Sequence, residues 1–134
     1  MRRASLWLTL ALLAAAACRP VTERSLSSPD GQLTVQVGLQ DGQLLYQVWR
    51  QGQPVLEPSP LGLVRSDADF TGGLRLEDVS PVRRVVETYT LVAGKRRVNR
   101  HEANERTYRL RNAEGRLLEV VFRVANDGVA FRYR

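Results

Sequence analysis

Apolar and polar residues alternate along most of this chain, most plainly in its last twenty residues, GRLLEVVFRVANDGVAFRYR. Leu118, Val120, Phe122 and Val124 alternate with Leu117, Glu119, Val121 and Arg123. After Asn126-Asp127-Gly128, the residues Val129, Phe131 and Tyr133 alternate with Ala130, Arg132 and Arg134. A period of two describes a strand with one buried face. Asp-Gly between two such runs predicts a tight hairpin, because both turn residues must accept positive φ.

The same reading extends upstream. Residues 25–28 predict a short strand, and Pro29-Asp30-Gly31 a turn. Leu33, Val35, Val37 and Leu39 alternate with Thr34, Gln36, Gly38 and Gln40. Asp41-Gly42 turns the chain, Leu44, Tyr46 and Val48 take one face with Leu45 and Trp49 on the other, and Gln51-Gly52 turns it again. Two prolines within residues 55–60 predict an edge strand or a kink, since proline cannot donate to a ladder. Residues 61–64 are a short apolar run, and 66–73, SDADFTGG, are the least regular stretch. Residues 74–79 and 82–92 read as strands, the latter rich in the β-formers Val85, Val86, Thr88, Tyr89 and Thr90. Residues 94–99 predict a basic loop, 105–111 a strand, and 112–115 the turn into the closing hairpin.

No segment shows sustained helical periodicity. Short strands separated by Gly, Asp and Asn turns predict an all-β fold, an antiparallel β-sandwich. The last strand ends the sequence with its outer edge unprotected, a condition that folded domains avoid. We therefore expect a sandwich incomplete at its C-terminal end, the front part of a longer protein.

The N-terminus has a different pattern. Arg2-Arg3 precede the apolar run Ala4 to Ala17, too short for a bilayer span of about 20 residues. A basic start, a short apolar centre and small residues before a cut predict an export signal over residues 1–17. The sole cysteine, Cys18, follows directly, as in a bacterial lipoprotein signal, although Ala15 stands where leucine is usual there. Cys18 is then either lipidated, anchoring the chain to a membrane in the periplasm or at the outer membrane, or left as a free N-terminal thiol. Residues 18–24 form a tether, and 25–134 the folded domain.

Composition narrows the chemistry. The chain of 134 residues carries a net charge of +6, and without Arg2 and Arg3 the balance is 18 basic against 14 acidic residues, or +4. One cysteine permits no internal disulfide, so the apolar core must hold the fold. His101 is the only histidine. It predicts either a proton-transfer or metal role beside Glu102 and Glu105, or a polar side chain at a loop-to-strand junction. One histidine and scattered acids do not make a zinc site, and no phosphate loop or dinucleotide fingerprint occurs. Arg109, Arg111, Arg123, Arg132 and Arg134 fall on the polar side of neighbouring strands, with Arg83-Arg84 and Lys95-Arg96-Arg97 adding charge. With Tyr89, Tyr108 and Tyr133 they describe either a binding face for nucleic acid or an anionic glycan, or a solvated face, or one packed on a further domain through arginine stems. Export argues against nucleic acid as a partner.

Several phrases together resemble the N-terminal domain of glycoside hydrolase family 97. They are Ser28-Pro29-Asp30-Gly31, the run from Gln53 through Leu63 (QPVLEPSPLGL), and Asn126-Asp127-Gly128-Val129-Ala130-Phe131-Arg132-Tyr133. Gly94-Lys95-Arg96-Arg97 and Asn104-Glu105 lie between them at the expected distances. The resemblance covers about residues 25–134. It implies a sandwich of the galactose-mutarotase type ahead of a (β/α)8 barrel that carries the catalytic carboxylates beside a calcium ion. The partner it implies is that barrel, and through it an α-linked glycan, as substrate of an α-glucosidase or α-galactosidase. No catalytic residue and no calcium ligand carries over to this sequence, which is expected to be catalytically silent alone. Asn104 and Glu105 carry over as either active-site-facing or structural residues. Without the barrel, the competing expectation is a stand-alone, lipid-anchored carbohydrate-binding module.

Overall fold

The computed structural model describes residues 24–93 and 97–134. The export signal, Cys18 and nearly all of the tether lie outside these residues, as do Gly94, Lys95 and Arg96. Eleven strands follow in order among the described residues: β1 Ser25–Ser27, β2 Leu33–Gln40, β3 Gln43–Arg50, β4 Gln53–Leu61, β5 Val64–Arg65, β6 Ala68–Asp69, β7 Arg75–Val79, β8 Arg83–Thr90, β9 Val98–Arg111, β10 Leu117–Ala125 and β11 Val129–Tyr133. No α-helix occurs among them, and every pairing is antiparallel.

Two sheets form the sandwich. The first is β1-β2-β3-β4. The second runs β11-β10-β9-β7, with β8 also on β9. β9 has 14 residues, long enough to take β8 along residues 98–105 and β7 along 108–111. The apolar phase of each strand faces its opposite number. Leu26, Val35, Val37 and Leu44 from the first sheet pack against Tyr108, Leu110, Val120, Phe122 and Val124 from the second, all buried. The Phe122 ring lies 5.8 Å from those of Tyr46 and Tyr108 and 5.6 Å from that of Phe131. Burial of such rings supplies most of what holds a core without disulfides together.

Turn chemistry sets the registers. The β2–β3 turn has Asp41 at φ 51° and Gly42 at φ 77°, and the β3–β4 turn has Gln51 at φ 49° and Gly52 at φ 78°. Paired positive φ values match the twist of the flanking strands. Gly42 has a second constraint: a Cβ there would come within 3.1 Å of the backbone nitrogen of Gly73, where the loop before β7 crosses.

Four expectations need correction. The strand expected over 105–111 begins at Val98, because β8 pairs with a largely polar run: Tyr89 faces Asn99, Thr88 faces Arg100, Glu87 faces His101 and Val86 faces Glu102. Residues 98–99 are therefore strand, not loop, and His101 lies inside a strand, not at a junction. The irregular stretch 66–73 contains β6, which pairs with β5 just before it, and places Ala68 and Phe70 in the core. Val121, on the polar phase of β10, is buried beside Arg123 and Arg132, whose side chains line the same shallow groove. The prolines of β4 do fall on an edge strand, with two register shifts against β3.

Candidate functional site

Glu105 sits at the middle of the outer face of the second sheet. Its neighbours across the ladder are Arg83 on β8 and Arg123 on β10. Arg83 Nη2 donates to Glu105 Oε1 at 2.5 Å, and Arg123 Nε donates to Glu105 Oε2 at 2.6 Å. Arg123 Nη1 also donates to Glu87 Oε1 at 2.9 Å. The Glu105 side chain is only 8% exposed. Burial pushes its pKa up, but the two guanidinium hydrogen bonds outweigh that and hold it below the ordinary glutamate value. Both carboxylate oxygens are occupied, so Glu105 ties three strands together.

Several other arginines follow the same scheme. Arg109 Nη2 donates to Glu119 Oε1 at 2.8 Å, with Asp78 and Arg134 at 3.6 Å from the same pair. Arg111 binds Glu77 through Nε and Nη2. On the opposite side of the β8–β9 ribbon, Glu102 takes Arg84 at 2.5 Å and Arg100 at 2.6 Å. Of the five arginines expected to form a basic face, four have carboxylate partners, and Arg132 is the one without an ion pair among the described residues. The face is a charged, internally neutralised one. Two of the three tyrosines expected on it point elsewhere. Tyr108 is fully buried in the core, and its hydroxyl donates to Arg24 O at 2.7 Å. Tyr133 packs against the core and donates to Gly62 O at 3.1 Å. Their strand phase decides this: both share a face with Leu110 or Phe131.

Asn104 takes the opposite phase from Glu105 and faces the first sheet. Its Nδ2 donates to Ser27 O at 2.8 Å, joining β9 to β1. Arg106, on the same phase, escaped the sequence reading. Its Nε donates to Ser80 O at 2.8 Å and its Nη1 to Ser25 O at 2.9 Å. Its spacing of two from Tyr108 was the available signal. The turn at 112–115 was expected, but not the role of its Asn112 side chain: buried, it accepts from the backbone N–H groups of Glu114 and Arg116 and donates to Asp69 O, building the turn before β10.

The resemblance phrases meet in space. Ser28 Oγ donates to Asp30 Oδ1 at 2.6 Å and accepts from Leu33 N at 3.0 Å. That Ser28 hydrogen bond, with one from Gln32 N–H, lowers the Asp30 pKa. Asp30 N–H then donates to Asn126 Oδ1 at 3.1 Å, across 96 residues of chain. The phrase containing Gly62 is tied to the last one through Tyr133. These phrases supply further bonds that fasten the two sheets together.

Residues 26–134 match the family described as Glycosyl-hydrolase 97 N-terminal. The chain belongs to glycoside hydrolase family 97. This family 97 chain is 43% identical over 103 residues to a protein named "Probable retaining alpha-galactosidase" from Streptomyces bingchenggensis (strain BCW-1), covering 76% of this chain and 16% of that protein. A solved structure described as a beta-arabinopyranosidase superposes with a TM-score of 0.76 at 36% identity, covering 81% of this chain and 17% of that one. A family 97 enzyme from Pseudoalteromonas sp. strain K8, solved with acarbose, shares the fold with a TM-score of 0.73 at 22% identity, again over 81% of this chain and 17% of the other. The family 97 chain thus spans about one sixth of the length of these relatives.

The described residues of this domain do not fit a calcium ion. No three of its His, Cys, Asp or Glu side chains gather closely enough to hold a metal. On the outer face of the second sheet, Glu105 and Glu119 are bound to arginines, which compete for the oxygens a hard cation would need.

Proposed function

We propose that this chain is the N-terminal support domain of an α-glycosidase of the α-galactosidase type, whose bond cleavage takes place on a barrel outside the described residues. The observation that carries this reading is the 43% identity with the Streptomyces protein over 103 residues. The electrostatics agree with it. Glycoside cleavage of the two-carboxylate kind needs one acid free to give a proton and a second free to attack or to activate water. Here Glu105, Glu119, Glu77 and Glu102 all accept from arginine side chains. The domain contributes stiffness: Asn104, Arg106 and Glu105 hold β8, β9 and β10 to each other and to β1. Calcium, in this reading, takes its ligands outside the described residues.

Residues 1–17 serve as an export signal and Cys18 as the site of lipid attachment, placing the enzyme in the periplasm or on the outer membrane, with residues 18–24 as the tether. Labelling cells with a radioactive fatty acid tests this part. The label should enter the chain and vanish on Cys18→Ala; an unlabelled chain overturns it.

The function is tested by grafting residues 26–134 in place of the matching stretch of the Streptomyces relative. The chimera should hydrolyse nitrophenyl α-galactoside within about tenfold of the parent, while the 134-residue chain alone hydrolyses none. A folded but inactive chimera, or turnover by the chain alone, overturns the reading.

A further inference from the structure

We propose that the outer face of the first sheet is a binding surface for neutral oligosaccharides, centred on Trp49, Gln36 and Gln47. The register places Thr34 opposite Trp49 and Gln36 opposite Gln47, with Ser27 beside Thr34 and Pro54 beside Trp49. None of these side chains is charged, in a chain where 25% of residues are. A groove of about 280 Å³ runs over this face, lined by Gly31, Gln32, Thr34, Gln36, Trp49 and Gly52. That is close to the lower end of small-molecule sites, about 300 Å³. Its ends stay open, because nothing lies within 4 Å of where a Cβ on Gly31 or Gly52 would stand. The groove beside Val121 carries Arg123 and Arg132, and the one beside Leu76 carries Arg24, Glu77, Asp78 and Arg106.

Two observations point to a sugar. The first is the donor and acceptor set. Gln47 Nε2 donates to Gln36 Oε1 at 2.5 Å, and Gln51 Nε2 to Gln32 Oε1 at 3.1 Å, which leaves the amide nitrogens of Gln36 and Gln32 to offer to a ligand oxygen. A sugar presents neutral hydroxyls to such amides and a face of C–H groups to an indole, whereas an ion finds no counter-charge here. The second is Trp49 itself, half-buried with its indole N–H buried and lacking any acceptor. Buried donors without a partner are rare in native proteins. A sugar hydroxyl would supply the acceptor once a side-chain shift opens the groove to this N–H.

This inference stands apart from the catalytic reading; only the choice of two of the probes rests on it. Nitrogen-15 NMR of the 134-residue chain follows the Trp49 indole N–H while maltoheptaose, stachyose or cellotetraose is added. The first two are α-linked, and the third lies outside the proposed activity. The indole resonance should move with at least one sugar, with a Kd of about 1 mM or tighter. Gln36→Ala combined with Gln47→Ala, at partly exposed positions, should leave the spectrum folded and weaken binding about tenfold. Binding of cellotetraose alone supports the face while counting against an α-linked substrate. An unmoved indole at about 10 mM of all three sugars, unchanged affinity in the double variant, or tighter binding of anionic oligogalacturonate overturns the proposal.

Discussion

The two outer faces of this sandwich cover the same core and are built from opposite chemistries. Around Trp49, the first sheet shows water amides, hydroxyls and an indole. Around Glu105, the second shows arginines and carboxylates set directly opposite each other on neighbouring strands. Either solution keeps a half-exposed sheet soluble. They differ in what they fix. An Arg–Glu–Arg row holds three strands in one register, since a slip by one residue would turn every charge toward the core. A field of glutamines makes no such demand and leaves hydrogen-bonding capacity unspent. The charged face is therefore spent on the fold, and the neutral face is free to meet a ligand.

Four changes test that contrast, beginning with the largest effect. Phe122→Ala removes the ring both sheets share and should cost about 3–5 kcal/mol. Urea unfolding followed by fluorescence, with Trp49 as the one tryptophan of the described residues, and by circular dichroism should shift together. Separate transitions would mean that the two faces belong to independent units. Glu105→Ala should cost about 2 kcal/mol, because it leaves Arg83 and Arg123 without the acceptor they share. A loss below about 0.5 kcal/mol would show the row to be ornamental, as isolated surface pairs often are.

Acid should act through the same residue. The folded pKa of Glu105 lies below the ordinary glutamate value of 4.5, so the folded state binds the proton less readily than the unfolded chain. Its contribution is complete above about 4.5 and is lost as pH falls through the depressed folded value. Melting temperature measured between neutral pH and about pH 3 should therefore drop more steeply in the parent than in Glu105→Gln. Equal slopes would remove Glu105 from the account. The smallest effect belongs to the neutral face, where Gln36→Ala should change stability by no more than about 0.5 kcal/mol. A larger loss there would mean that both faces serve the fold and that the asymmetry is false.

Much of this was legible in residue order. The phase of two assigned the core faces of β2, β3 and β10 correctly, because the buried neighbours of a half-exposed strand follow from its own spacing. The turn dipeptides Asp41-Gly42 and Gln51-Gly52 were legible for the same local reason. The N-terminal half of β9 was not. Asn99, Arg100, His101 and Glu102 have little strand preference alone and become strand by pairing with β8. Asn104 and Glu105 stood out as a pair with two roles open. Their partners, Ser27, Arg83 and Arg123, lie 77, 22 and 18 residues away, beyond any local rule.

Sequence alone therefore settled the all-β class, the core-facing residues of most strands and the turns at Asp41-Gly42 and Gln51-Gly52, since each depends on residues a few positions apart; the Asp127-Gly128 turn forms without the positive φ expected of it. Tertiary structure alone decided which strands share an edge, that most of the outer-face arginines of the second sheet are already paired, and that the uncharged residues of the first gather around Trp49. Those facts depend on contacts between distant segments, which exist only once the two sheets have closed on one core.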